Sequence, residues 1–258
     1  MRTELILSES TREEMKRRGV DVFEYEETDS TNRQAILYAE AERPMRNVLF
    51  VAGSQTAGRG RLGRSFISPE GGVYMTILTP LAKGDPTAVT SYAATVVADA
   101  VEELGGIDPK IKWVNDVYLG GRKLSGILAQ GIVDPESGRL THVALGIGVN
   151  VKGKRLAPEI EDIATSLERE GVTTDRDTVI GLIATRYIDS LGLIGSAAIA
   201  ERYRGRSFLI GKRVTVHKPS ESYPATVLGI TDACELKLMT ERGEEILSTG
   251  EVSVREIK

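Results

Sequence analysis

One cysteine, Cys234, and two histidines, His142 and His217, are all that a chain of 258 residues offers toward disulfides or a Cys/His metal cluster. A lone thiol excludes an internal disulfide, and three such residues make too thin a set for a structural zinc site. Long apolar runs are missing as well: nothing approaches the roughly 20 uninterrupted apolar residues of a membrane span. The stretch from Met1 to Thr11 has neither the basic flank nor the apolar run of a secretion signal. These absences point to the cytoplasm and away from a membrane partner. Basic excess is lacking too. A formal net charge of -4 argues against a surface coated for nucleic acid, although a local basic patch stays open. The sequence contains no internal repeat, low-complexity linker or long single-sign charge run.

What the chain does have is 41% hydrophobic residues over a length sufficient for a full core, arranged as one large domain or as a large and a small one. Ser10 to Arg18 reads as a short helix, Val22 to Glu27 as a strand, and Ser30-Thr31-Asn32 as a cap leading into an amphipathic helix toward Glu42. Asn47 to Ala52 is an apolar strand, residues 53–66 are a loop rich in Gly and Arg, and Val73 to Thr79 is a further strand. Pro86 opens an Ala/Val-rich helix to Leu104. Ribbons follow at Ile111 to Val114, Val117 to Leu119, Lys123 to Val133 and Leu140 to Val151, with turns at Gly120-Gly121 and Pro135 to Gly138. Residues 175–207 carry apolar positions near helical spacing. After Gly211, short alternating strands (Arg213 to Val216, Ala225 to Ile230, Leu236 to Met239, Glu245 to Leu247, Glu251 to Arg255) fit a small β-barrel of about fifty residues. The expected class is α+β: a mixed, mainly antiparallel sheet flanked by helices over residues 1–208, then a small C-terminal β-barrel over 209–258.

Three clusters carry chemistry. Gly58-Arg59-Gly60-Arg61-Leu62-Gly63-Arg64 combines three guanidinium groups, three glycines and no acid. Glycines let backbone N–H groups converge on anionic oxygens, and arginine adds fixed bidentate donors. A solvated basic turn, or an Arg/Gly segment that binds RNA, would show the same short pattern. The second cluster is Lys112-Trp113-Val114-Asn115-Asp116 with Lys123-Leu124-Ser125-Gly126-Ile127-Leu128. Alternation places Lys112, Val114 and Asp116 on one face of an extended segment. A lysine inside an apolar ribbon implies a partner anion, unless it reaches solvent from a strand end. Gly126 marks a close approach of backbone or ligand. In the third cluster, Gly146-Ile147-Gly148-Val149-Asn150-Val151, one strand face has no side chains, so a ligand ring or a closely packed helix can lie flat on it.

Taken in order, Ser30-Thr31-Asn32, Gln55 through Arg64, Ser68-Pro69 with Gly71-Gly72, Lys112 through Asp116, Lys123 through Leu128 and Gly146 through Val151 resemble the biotin protein ligases. The resemblance runs from about Val22 to the C-terminal strands, and six ordered motifs are far more specific than any one. It implies a catalytic domain like those of class II synthetases and lipoyl ligases. It also implies that Ser30, Thr31, Asn32, Gln55, Gly58, Arg59 and Lys123 line a biotin pocket floored by Gly126 and Gly148. Arg61 and Arg64 would meet phosphate, Phe66 and Asn150 the adenine, and Lys112, Asn115 and Asp116 the phosphates and magnesium. Arg61, Lys112, Lys123 and Asp116 are the implied catalytic set; the metal ligands are left unassigned. ATP, magnesium and biotin would be required, and the partner would be a biotin carboxyl carrier protein, with a homodimer open.

The sequence departs from the commonest family pattern at Phe66 (often tryptophan), Val114 (often proline) and Gln130 (often an acid). Phenylalanine still stacks adequately. Many relatives carry an N-terminal helix-turn-helix domain, and only about twenty residues precede the first strand here, so specific operator binding is not expected. Competing readings are a lipoate or octanoate ligase or transferase, a nonenzymatic biotin-binding regulator and an RNA-binding module. The loop from Gly53 to Phe66, with its three mutually repelling arginines, is expected to order when ligand binds.

Overall fold

The computed structural model describes residues 6–80, 86–154, 156–218, 220–248 and 253–256. Helix α1 (Glu9–Arg17) starts at Ser8, whose side chain accepts a hydrogen bond from the Thr11 amide, and leads into strand β1 (Asp21–Thr28). Helix α2 (Thr31–Glu42) has Ser30 in the N-cap position, but the Ser30 side chain makes no capping hydrogen bond. Strands β2 (Val48–Gln55) and β3 (Val73–Pro80) flank the Arg-rich segment, and helix α3 (Pro86–Glu103) follows. The short β4 (Lys110–Lys112) and β5 (Asp116–Leu119) precede the long β6 (Arg122–Val133) and β7 (Leu140–Val149). Helices α4 (Arg176–Asp189) and α5 (Ala197–Arg206) complete the larger part.

These strands form one seven-stranded sheet in the order β1-β2-β3-β7-β6-β5-β4. Only β1 and β2 run parallel; every other pairing is antiparallel, as the mixed, mainly antiparallel expectation requires. Strand alternation then assigns the two faces. Leu49, Val51, Met75, Ile77, Leu145 and Ile147 turn toward α3 and α4 and share the main core with Val97, Val101 and Ile183. Val48, Phe50, Leu78 and Ala144 turn the other way, toward Ala35 and Ala39 of α2. Helix α2 covers only part of that second face. Where β7 and β6 carry Gly146, Gly148 and Gly126 instead of apolar side chains, the face is left for the site.

Two expectations change. Lys112 to Asp116 is not one extended segment. Residues 113–115 are a turn containing a cis Trp113–Val114 peptide bond, and Lys112 lies directly opposite Asp116 in the β4/β5 hairpin. Alternation is a valid guide only while a strand runs straight, and this one reverses. The C-terminal unit, β8 (Arg213–His217), β9 (Ser222–Ile230), β10 (Leu236–Thr240), β11 (Gly243–Leu247) and β12 (Ser253–Glu256), is an open antiparallel sheet in the order β11-β10-β9-β8-β12 rather than a closed barrel. Short alternating strands are common to both architectures. Closure depends on whether the two end strands meet, and among the described residues β12 pairs only with β8.

The small sheet is built onto the larger part through a shared core. Val214, Val216, Val227 and Leu236 belong to the same apolar cluster as Trp113, Val114 and Tyr203. The Trp113 indole N–H donates to the Cys234 carbonyl at 3.0 Å, and the Tyr203 hydroxyl donates to the Val114 carbonyl at 3.0 Å. The 113–115 turn is therefore clamped from both sides. No helix among the described residues is long and apolar enough to cross a membrane.

Candidate active site

The open part of the sheet face is floored by glycines. Gly126 pairs with Gly148 across β6/β7, and Gly146 lies two residues away on the same face. What packs flat there is the Phe66 ring: a Cβ on Gly148 would sit 2.5 Å from Phe66 Cε1, and one on Gly126 3.1 Å from Phe66 Cε2. Phe66 thus rests on the floor itself. Gly146 faces the Asn32 side-chain amide.

A polar wall rises at the α2 end. The Thr31 amide and hydroxyl both donate to Gln55 Oε1, at 2.9 and 3.2 Å, and Gln55 Nε2 donates to Ser68 Oγ at 3.0 Å. Asn32 Nδ2 donates to Gln130 Oε1 at 2.8 Å and to the Leu128 carbonyl at 3.3 Å, and Asn32 Oδ1 accepts from the Thr76 hydroxyl at 2.7 Å. Ser30, Thr31 and Asn32 are nearly sequestered from solvent. Burying this many polar groups is tolerable only because they bond one another. Gln130, where relatives often have an acid, has only to accept here, and a neutral amide does that without a buried charge.

A cationic rim faces the wall. Arg59, Arg61, Arg64, Lys112 and Lys123 line the cavity with a single carboxylate, Asp116, in a protein whose net charge is -4. The Arg59–Arg64 segment is a tight hairpin: Gly60 N–H donates to the Arg64 carbonyl and Phe66 N–H to the Gly58 carbonyl, with a 3-10 turn at 61–63. Arg61 Nη1 donates to Asn115 Oδ1 at 3.3 Å, and Asn115 Nδ2 in turn donates to the Ile127 carbonyl. Burial lowers the Arg61 pKa, partly opposed by the Asp116 carboxylate, yet a guanidinium keeps its charge at any physiological pH. A permanently charged group held out of water favours an anionic ligand beside it. Lys123 Nζ is 2.7 Å from Asp116 Oδ1. A register shift in the β5/β6 pairing sets Lys123 opposite Tyr118, and the 163–165 segment holds its backbone through Lys123 N–H to Ile163 O and Thr165 N–H to Lys123 O. Burial pushes the Tyr118 phenol up to about 12, so it stays neutral next to Lys112, whose Nζ lies 5.9 Å from the ring centroid.

The structure thereby gathers Ser30, Thr31, Asn32, Gln55, Arg59, Arg61, Arg64, Phe66, Lys112, Asn115, Asp116, Lys123, Gly126 and Gly148 around one cavity. Gly58 and Asn150 stand outside its lining. A Cβ on Gly58 would lie 2.5 Å from the Phe66 carbonyl oxygen and 2.6 Å from Ser68 Oγ, so this glycine serves the loop's own packing. Asn150 Nδ2 donates to the Thr165 carbonyl. Sequence reasoning missed Tyr74, which lines the cavity, and Thr76, which supports its wall. The available signal was a hydroxyl side chain recurring on the site-facing positions of an otherwise apolar strand. Among the described residues no cluster of three His, Cys, Asp or Glu could hold a metal ion. Cys234 is buried, and burial raises its thiol pKa, the reverse of what a nucleophile needs.

The Biotin/lipoate A/B protein ligase family matches residues 25–150, and the Biotin protein ligase C terminal domain matches residues 209–255. A biotin–[acetyl-CoA-carboxylase] ligase of Paracoccus denitrificans is 32% identical over 236 residues, spanning 87% of this chain and 97% of the relative. The chain belongs to the biotin protein ligase family. Consistent with this, the bifunctional ligase/repressor BirA of Bacillus subtilis is 32% identical over 92% of this chain and 74% of the relative. The fold of this ligase also superposes on a biotin protein ligase from Aquifex aeolicus in complex with biotin and ATP, with a TM-score of 0.78 and 26% identity over 92% of this chain and 99% of that one.

Proposed function

We propose that this ligase joins biotin and ATP into biotinyl-5'-AMP and then passes the biotinyl group to a lysine of a biotin carboxyl carrier protein. The observation that carries the reading is the pairing of a buried polar wall with a rim of five cations and one carboxylate. A flat polar head fits the wall and the glycine floor, while a carboxylate tail and phosphates fit the rim. Both reactants of the first step are anionic, so the protein must hold them together against repulsion and stabilise the charge that grows on phosphate. In this assignment Thr31 and Gln55 hold the biotin head with Ser30, and Asn32 braces the wall. Arg59 and Lys123 draw in the carboxylate; Arg61, Arg64 and Lys112 receive phosphate, with Arg61 aimed by Asn115. Phe66 caps the floor between biotin and nucleotide. In the second step Asp116, freed from Lys123 as charge leaves, orients the incoming amine and accepts its proton.

Magnesium enters as the counter-ion of ATP. One carboxylate already paired with a lysine is no cage for a divalent cation, and such an ion keeps most of its ligands from phosphate and water. We assign residues 1–208 to the catalytic unit and 209–258 to an appended unit, and place the enzyme in the cytoplasm. The lipoate or octanoate alternative is disfavoured by the wall, because an alkyl chain would leave its buried donors and acceptors unpaired. Incubation with labelled biotin, lipoate or octanoate plus ATP, followed by trapping of the acyl-adenylate, tests the reading: biotin alone should yield adenylate, and preferential octanoyl- or lipoyl-adenylate would refute it.

A further inference from the structure

The wall is a chain of hydrogen bonds, and its direction is dictated by groups that have no choice. The Thr31 backbone N–H can only donate, so the Gln55 atom 2.9 Å away must be its carbonyl oxygen. Gln55 Nε2 then points to Ser68 Oγ, whose own hydrogen goes to the Phe66 carbonyl at 2.9 Å, an obligate acceptor. The Thr31 hydroxyl donates to the same Gln55 oxygen, and the Thr76 hydroxyl reaches Thr31 Oγ1 at 2.8 Å from behind. Asn32 is oriented likewise: its nitrogen must face the Leu128 carbonyl, which leaves Oδ1 toward Thr76. Protons therefore run one way, from Thr76 through Thr31, Gln55 and Ser68 to the Phe66 carbonyl of the arginine loop. Thr76 is 0% exposed and Ser68 6%.

With its hydrogen spent on Gln55 and Thr76 donating into it, Thr31 Oγ1 can offer the cavity only a lone pair. We propose that Thr76 and Ser68, at the two ends of this chain, are positioning residues that fix the Thr31 hydroxyl as an acceptor, so that the site selects a ring carrying an N–H donor at that point. The idea rests on the biotin reading, whose cyclic urea supplies such a donor. A mismatched ring oxygen there would face a lone pair instead of a hydrogen.

The test compares biotin with an analogue in which one ureido N–H is replaced by a ring oxygen, in wild type, Thr76→Val, Thr76→Ser and Ser68→Ala. Dissociation constants come from calorimetry, and KM and kcat from ATP–pyrophosphate exchange. Wild type should prefer biotin by two orders of magnitude or more. Thr76→Val should shrink that preference about tenfold or more, because Thr31 becomes free to turn its hydrogen toward the ring oxygen, while kcat and the KM for ATP hold within about twofold. Thr76→Ser should restore the preference. Ser68→Ala, which breaks the chain at its surface end, should reproduce the loss even if Thr76→Val does not fold. An unchanged preference in Ser68→Ala and in any folded Thr76→Val, or equal weakening of both ligands, overturns the proposal. Wild type that binds neither biotin nor the analogue overturns the biotin reading, and this proposal with it.

Discussion

Lys123 stands where two demands meet: its ammonium pairs with Asp116 at 2.7 Å, and its terminal carbon and nitrogen lie over the space a Gly126 Cβ would take. A charge so placed contributes most while two anions are being pressed together. Lys123→Gln should suppress biotin-dependent ATP–pyrophosphate exchange by about two orders of magnitude, in line with loss of one transition-state donor. Transfer from preformed biotinyl-adenylate should fall much less. Normal exchange with failed transfer would move Lys123 to the second step. Gly146 makes a different kind of demand. A methyl group there collides with Asn32 Oδ1, so Gly146→Ala should cost about 1–3 kcal/mol in urea unfolding, the usual range for overpacking, and raise the KM for biotin about tenfold. A variant as stable and as active as wild type would show that the floor has room to spare.

At the scale of elements, the segment from Ile163 to Glu170 braces the start of β6. Glu170 ties it down by accepting from Thr165 and pairing with Arg122 at 2.9 Å. Burial alone would raise the Glu170 pKa, but these hydrogen bonds and the Arg122 charge lower it on balance. A carboxyl lowered in the folded state contributes stability above its unfolded pKa and loses it as pH falls through the folded value. Wild type should therefore exceed Glu170→Gln in stability at neutral pH, and the two should converge in acid; a constant difference across the titration would remove the ionised pair from the account. The arginine hairpin makes its own backbone bonds before any ligand arrives, yet its charges repel one another. Hydrogen exchange at Gly60 and Phe66 should slow when biotin and ATP are added, and identical rates would count against ligand-driven ordering.

For the whole molecule, the shared core between the two sheets decides how the protein comes apart. The only tryptophan, Trp113, sits at the junction, with its indole N–H on the Cys234 carbonyl. Its fluorescence therefore reports the junction itself. Urea transitions followed by this fluorescence and by far-ultraviolet circular dichroism should coincide, because neither sheet keeps its apolar surface covered once the other leaves. Two separated transitions would show that residues 209–258 fold as an independent unit.

The sequence by itself was enough for whatever depends on local periodicity and side-chain chemistry. The helices and most strands fall where apolar spacing puts them, and the anion-binding character of Arg59–Arg64 and the open glycine face of Gly146 and Gly148 follow from residue type alone. Tertiary structure decided what depends on partners distant in the chain. It turned Lys112–Asp116 into a hairpin, left the C-terminal sheet open, and laid Phe66 on the glycine floor. It also joined Thr76, Thr31, Gln55 and Ser68 into one directed chain. A hydrogen bond or a strand pairing is a property of two positions at once. No single window of sequence contains both Thr76 and Thr31, and only the folding of β3 beside the start of α2 brings them within 2.8 Å.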